Sequence, residues 1–345
     1  MPVIFDSYPR GSSSGSCITI GLINNMPDEA LKATERQFIS LLDSASDGMQ
    51  IFLSLYTLPG VPRNESSSRH IAALYSNIED LWEDQVDGLI VTGREPVAAN
   101  LTEEPYWESF TKTLEWAGEN AHSTVWSCLA AHAAVQHMDG INRAKRDAKL
   151  FGVFECAGVQ DHPLTARTSS IFRLPHSRWN GLPADTLREC GYSVLTQTAD
   201  AEVDTFIKQQ KKLFVFFQGH PEYDSDTLLR EYRRDIGRYL KGDTPQYPLM
   251  PQGYFDTATA HIVNALQQRL VSREGDELLP EALAALSSIS IENTWHFSAR
   301  RVYTNWLRYI RAAKEDSVRP KRTNMIGAAT RLGSVNTVVN AVTEA

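Results

Sequence analysis

A cysteine that closes a strand and opens a helix is the sharpest chemical feature of this 345-residue chain, in Val125-Trp-Ser-Cys128-Leu-Ala-Ala-His132. A thiol at a helix N-terminus lies near the positive end of the helix dipole, which favours the thiolate, the nucleophilic form. The backbone N–H of Leu129 would lie beside the sulfur, where it can stabilise an oxyanion. The competing reading is a packed core thiol: the usual G-x-[SC]-x-G glycines are missing, and only the small Ala130 stands in for them. A second feature is Phe216-Phe-Gln-Gly-His220-Pro-Glu222, again a strand running into a turn. In extended backbone, residues i and i+2 point the same way, so Glu222 is expected to orient the His220 ring and leave its other nitrogen for a proton. A third is Asp87-Gly-Leu-Ile-Val-Thr-Gly93-Arg94-Glu95-Pro96. Gly93 lets the backbone approach a ligand, and N–H groups of the following turn can complete an oxyanion site. Each feature alone has an ordinary explanation: a core thiol, a surface turn, a β-turn. Collected at one sheet edge, they make a Cys-His-Glu device for acyl transfer.

That condition falls on the elements. Residues 17–23, 50–56, 87–93 and 123–127 read as strands. Helices are expected at 29–42, 68–82, 105–121 and 128–138. Strands alternating with helices of this length imply βαβ units and a mostly parallel α/β sheet. In such sheets ligands gather at the carboxyl ends of the strands. From 151 to 217 the apolar runs shorten and turn residues intervene, which predicts a β-rich insertion. Lys212-Leu-Phe-Val-Phe-Phe reads as a further central strand, followed by helices at 225–240, 256–271 and 298–313. Residues 1–16, with a Gly/Ser run from Gly11 to Ser16, are expected to form a flexible arm, 17–313 the main domain, and 314–345 a peripheral or partly disordered tail. Class I glutamine amidotransferases share the arrangement of a strand-end cysteine and a strand-end histidine, so the residues alone say only "cysteine-dependent acyl transfer".

Composition narrows the partners. The formal net charge of −8 argues against nucleic acid, whose phosphates need surplus Lys and Arg. Cys17, Cys128, Cys156 and Cys190 include no C-x-x-C pair, so neither a zinc ribbon nor a disulfide scaffold is expected. Reduced thiols in a cytoplasmic enzyme fit better. The first residues lack the apolar segment of a signal peptide, and no apolar run nears the ~18 residues of a membrane span.

Several blocks resemble the homoserine O-succinyltransferase family. Ile23-Asn-Asn-Met-Pro-Asp with Thr34-Glu-Arg-Gln-Phe is similar to its opening signature. Leu174-Pro-His-Ser177-Arg178, Gly219-His-Pro-Glu-Tyr-Asp, Glu231-Tyr-Arg-Arg234-Asp and Thr304-Asn-Trp-Leu-Arg-Tyr follow in the family's order. The resemblance covers roughly residues 18–311. It implies a flavodoxin-like, class I glutamine amidotransferase-like fold, usually as a homodimer. It implies Cys128 as the acylated nucleophile, His220 as general base and acid, and Glu222 as its support. It places Lys149 and Ser177 at substrate-contacting positions, and Arg234 where a guanidinium grips the amino-acid carboxylate. The implied reaction is ping-pong transfer of a succinyl group from succinyl-CoA to homoserine, in methionine biosynthesis. Acyl-CoA is then a co-substrate, with no metal and no permanently bound cofactor.

Two stretches depart from the family pattern. Its G-A-P after the third strand is here Gly93-Arg94-Glu95-Pro96, in the loop that lines the acyl-donor pocket. Val97 stands at the donor-selecting place by simple counting, and a shifted register would bring Glu95 there. Arg94 is placed to pair with a succinyl carboxylate, and acetyl-CoA is the alternative donor. After the cysteine, His132 replaces a glutamine and is expected to pack as a polar residue. Changes so close to the nucleophile leave serine as an alternative acceptor, and an amidotransferase or hydrolase as the alternative of another class.

Overall fold

The protein is described by a computed structural model covering residues 3–4, 17–83, 86–272, 284, 286 and 289–318. In chain order the first half comprises β1 (Val3–Ile4), β2 (Cys17–Ile23), α1 (Asp28–Ala45), β3 (Gln50–Tyr56), α2 (Glu65–Leu74), α3 (Ile78–Glu83), β4 (Gly88–Thr92), α4 (Trp107–Asn120), β5 (Ser123–Ser127) and α5 (Leu129–Asp139). The second half comprises β6 (Ala144–Gly158), β7 (Ile171–Gly181), α6 (Ala184–Glu189), β8 (Ser193–Val194), β9 (Thr196–Thr198), β10 (Thr205–Gln209), β11 (Leu213–Phe217), α7 (Thr227–Leu240), α8 (Thr257–Val271) and α9 (His296–Val318).

The main sheet runs β1-β3-β2-β4-β5-β11-β10-β8. Its first six strands are parallel, and β10 and β8 add antiparallel at one edge. The central strands are apolar on both faces because helices cover both. Along β11, Phe214 and Phe216 pack on the side of α4 and α5, whereas Leu213, Val215 and Phe217 pack on the side of α1 and α9. The same period of two sends Leu89 and Val91 of β4 one way and Ile90 the other.

The expected α/β class and mostly parallel sheet are what is found. The β-rich insertion is smaller than the 151–217 stretch suggested. Among the described residues, only β6, β7 and β9 form the second, antiparallel sheet, in the order β7-β6-β9, while β8 and β10 join the main one. The helix expected at 68–82 is two helices. Tyr75 leaves the helical conformation so that its hydroxyl can donate to Glu35 at 2.6 Å, and the Ser76 N–H donates to the Leu55 carbonyl at 2.9 Å. The last helix runs to Val318, past the expected end at 313, and Lys314 reaches back to Asp87 at 2.7 Å. Of the expected arm, Val3–Ile4 pairs with β3; the rest of the arm, and 319–345 of the expected tail, lie outside the described residues.

Two sequence blocks are structural ties rather than chemistry. Asn25 donates to the Thr92 carbonyl at 3.1 Å and accepts from the Leu58 N–H at 3.1 Å, binding the ends of β2, β3 and β4 together. In Thr304-Asn-Trp306, the threonine bonds the Ala45 carbonyl, the asparagine those of Leu164 and Ala166, and the indole N–H the Ser123 hydroxyl. Fully buried Trp306 thereby clamps α9 to the sheet.

Candidate active site

The register of three adjacent parallel strands brings the site together. Thr92 of β4 stands opposite Ser127 of β5, which stands opposite Phe217 of β11. The residues that follow, Gly93, Cys128 and Gln218 to Glu222, therefore leave the sheet side by side at its carboxyl edge. Backbone bonds extend the ladder one step further, from the Gly93 N–H to the Ser127 carbonyl at 3.2 Å and from the Cys128 N–H to the Phe217 carbonyl at 2.7 Å.

Cys128 is the pivot between β5 and α5. Its φ of 52° and ψ of −112° put a non-glycine residue in a sparsely occupied region, the mark of a sharp turn held by its surroundings. The side chain is part-exposed rather than sealed in the core. The glycine missing from the local sequence is supplied by the neighbouring loop. A Cβ on Gly93 would lie 2.6 Å from the Ala130 nitrogen and 2.6 Å from the Leu129 Cβ, so only glycine lets that loop press against the start of α5.

The His220 ring lies near the Cys128 side chain, and its Nδ1 lies 2.8 Å from Glu222 Oε1. Sequence reasoning paired His220 with Glu222 through extended alternation. The structure pairs them through a turn, closed by the Tyr223 N–H on the His220 carbonyl at 3.2 Å. Burial opposes a charged ring, but the Glu222 carboxylate and the Cys128 sulfur outweigh it and hold the His220 pKa well above the ordinary value. Tyr223 stacks on the imidazole with centroids 4.2 Å apart. His132 faces away into a buried pair with Gln218 at 2.9 Å, and burial next to Arg178 pushes its pKa down to about 3, so it stays neutral.

The loop after Gly93 is shaped by a residue that sequence reasoning missed. Buried Glu104 accepts from the N–H groups of Val97 and Ala98 at 2.6 and 2.7 Å. Val97 itself points to solvent, 76% exposed, and Glu95 is exposed as well. Arg94 Nη1 is buried with no hydrogen-bond partner.

With this geometry, the comparisons with known proteins are decisive. The homoserine O-succinyltransferase family profile matches residues 11–316. The chain belongs to the homoserine O-succinyltransferase family. A homoserine O-succinyltransferase of Rhodopseudomonas palustris is 44% identical over 303 residues, covering 87% of this chain and 90% of the relative. One from Bradyrhizobium japonicum is 43% identical over 294 residues, covering 85% and 90%. Among solved structures, a glutamine amidotransferase from Methylobacillus flagellatus aligns with a TM-score of 0.48 at 14% identity, covering 85% of this chain and 95% of that one.

The three positions that the family resemblance singles out for the substrate converge on one carboxylate pair, on α7. The Ser177 hydroxyl donates to Glu231. Lys149 Nζ lies 3.8 Å from Glu231 and 3.4 Å from Asp235, over the Phe151 ring. Arg234 is half-exposed and turns both Nε and Nη2 onto Asp235 at 2.9 Å. Burial works against its charge, and Asp235, Glu231 and Glu95 outweigh that and raise its pKa. Tyr223 joins this corner to the base, since its hydroxyl donates to Glu231 at 2.8 Å while its ring covers His220. Glu231 and Asp235 were legible as an i, i+4 pair on one helix face, a spacing that puts two carboxylates together. Tyr223 and Glu104 left no comparable signal.

Proposed function

We propose that this protein transfers a succinyl group from succinyl-CoA to the γ-hydroxyl of L-homoserine, in methionine biosynthesis, with Cys128 carrying the acyl group between the two. The observation that carries the reading is a cysteine on a strained strand-to-helix turn, beside an imidazole that Glu222 holds at 2.8 Å. The Cys128 sulfur attacks the thioester carbonyl, and the oxyanion is met by N–H groups of Leu129 and of the turn after Gly93. The carbon–sulfur bond to coenzyme A breaks, and His220 returns a proton to the departing thiolate. The homoserine hydroxyl then gives its proton to His220 as its oxygen bonds the acyl carbon, and the Cys128–acyl bond breaks. Glu222 keeps the ring oriented and offsets its positive charge. No metal or redox cofactor enters these steps.

Lys149, Ser177 and Arg234 would receive the amino acid, with the guanidinium on its carboxylate. Arg94 would take the distal carboxylate of the succinyl group, since its buried Nη1 is a donor in need of an acceptor. That carboxylate is what acetyl-CoA lacks. The family resemblance further supports a cytoplasmic homodimer, and among the described residues no helix is long and apolar enough to cross a membrane.

The test is release of coenzyme A from succinyl-CoA or acetyl-CoA, with homoserine or serine as acceptor, alongside intact-mass analysis without acceptor. The wild type should gain one succinyl mass and turn over with homoserine; Cys128→Ala should do neither. Arg94→Ala should lose the preference for succinyl-CoA. Coenzyme A release by Cys128→Ala at the wild-type rate would refute the nucleophile, and release that ignores the acceptor would mark a hydrolase.

A further inference from the structure

Beneath the base turn lies a buried polar cluster that the proposed chemistry does not use. Asp204, fully buried ahead of β10, accepts from the Thr196 and Thr205 hydroxyls on one oxygen, at 3.0 and 2.6 Å. Its other oxygen accepts from the Gly219 backbone N–H at 3.2 Å and lies 3.3 Å from His176 Nε2. Its backbone carbonyl accepts from the Gln218 N–H at 2.9 Å, and the neighbouring Pro175 carbonyl accepts from the His220 N–H at 2.8 Å. Three successive N–H groups, those of Gln218, Gly219 and His220, are thus held from below, two of them by Asp204. The fit is close. A Cβ on Gly219 would lie 2.6 Å from Asp204 Oδ1 and 3.0 Å from the Pro175 oxygen.

The same cluster has one competing use. Cys156, His176 and Asp204 offer ligand atoms within 4.8 Å of one another, a spacing that a metal ion can bridge. The surroundings disfavour a cation. Both Asp204 oxygens already face donors, burial drives the Cys156 thiol towards its protonated form, and the Arg178 guanidinium donates to His176 Nδ1 at 3.4 Å. With Nδ1 accepting, the His176 proton sits on Nε2, facing the carboxylate. Three hydrogen-bond donors around one buried carboxylate, with His176 Nε2 a further 3.3 Å neighbour, describe an anchor.

We propose that Asp204 is a positioning residue: by gripping the Gly219 N–H with its carboxylate it fixes His220 against Cys128 without touching the substrate. The inference rests on the reading of Cys128 and His220 given above. Its physical basis is that bonds to an ionised acceptor are roughly twice as strong as neutral ones. A base displaced by about 1 Å costs roughly a hundredfold in rate.

The experiment uses the full chain. Asp204→Ala, Asp204→Asn and Gly219→Ala are compared with wild type, and Asp204→Ala is also combined with His220→Ala. Cys128→Ala is the control for the underlying reading, and thermal melts establish the folded fraction. The alanine changes at 204 and 219 should each lower kcat by about a hundredfold, with KM for the acyl donor nearly unchanged. Asparagine keeps an oxygen for the Gly219 N–H and can donate to the two threonine hydroxyls, so it should restore kcat to within about tenfold of wild type. On the His220→Ala background, Asp204→Ala should cost less than about twofold more, because the residue acts through the missing ring. Multiplying losses, a fall in kcat that only tracks the folded fraction, or stoichiometric zinc in the purified protein would each overturn the inference. A Cys128→Ala enzyme with wild-type turnover would sink the mechanism beneath it. Inactive Cys128→Ala beside fully active Asp204→Ala would sink the inference alone.

Discussion

The base turn and the acceptor corner lie on either side of Tyr223, yet they are held in different ways. At the base turn, His220 and Glu222 are 6% and 7% exposed, and the backbone around them is tied to Asp204 and Pro175. At the acceptor corner, the charged heads of Lys149 and Arg234 are held by side-chain ion pairs with Glu231 and Asp235, and Arg234 stays half-exposed. Backbone ties permit one geometry. Side-chain ion pairs in part-solvated positions are worth little each and can be exchanged. On the proposed role of Arg234, a substrate carboxylate would take the place of Asp235 on its fork with little net change in hydrogen bonding. On the proposed roles, the contrast teaches that the groups meant to move protons are locked in advance, whereas those meant to grip the substrate are held by exchangeable ion pairs.

The contrast can be broken first at the base. His220→Ala should lower kcat by about a thousandfold or more, with KM for homoserine changing little, because the ring acts on reacting atoms. A loss under about tenfold would remove the base turn from the chemistry. At the other side, Arg234→Lys should raise KM for homoserine by about tenfold while leaving kcat within a few-fold, since a point charge replaces a two-pronged donor. A matching fall in kcat would show that the acceptor corner also works in the transition state, and the division of labour would blur. The smallest effect expected is on stability. The His220 pKa is raised in the folded chain, so its contribution is fully present below the unfolded value, ~6.5, and fades as pH rises through the folded value. The gap in melting temperature between wild type and His220→Ala should therefore be widest in mild acid and narrow on the alkaline side. A gap that widens with pH would mean that the ring is held neutral.

Much of the fold and of the site could be read from residue order. The apolar runs at 18–23, 88–92 and 213–217 mark strands buried on both faces, and each is followed by a chemically marked residue: Asn24, Gly93 or the His220 turn. What was harder to read depended on contacts distant in sequence. The break at Tyr75 exists because Glu35, forty positions earlier, accepts its hydroxyl proton. The strained Cys128 turn is permitted by Gly93 in the loop after another strand, so the absence of glycines beside the cysteine understated it. Asp204 lies in a plain Glu-Val-Asp-Thr stretch, and only pairing with β11 places it under Gly219.

The sequence by itself determined the sheet and the family, and it pointed to Cys128, His220 and Glu222 as the candidate nucleophile, base and base support. Periodic burial and local turn chemistry are short-range properties, and a linear string records them. Only the tertiary structure decided how the base turn is fixed, which carboxylates pair with Lys149 and Arg234, and that Arg94 keeps a buried donor unpaired. Those are relations between residues tens to hundreds of positions apart, and they come into being only when strand register sets the distances.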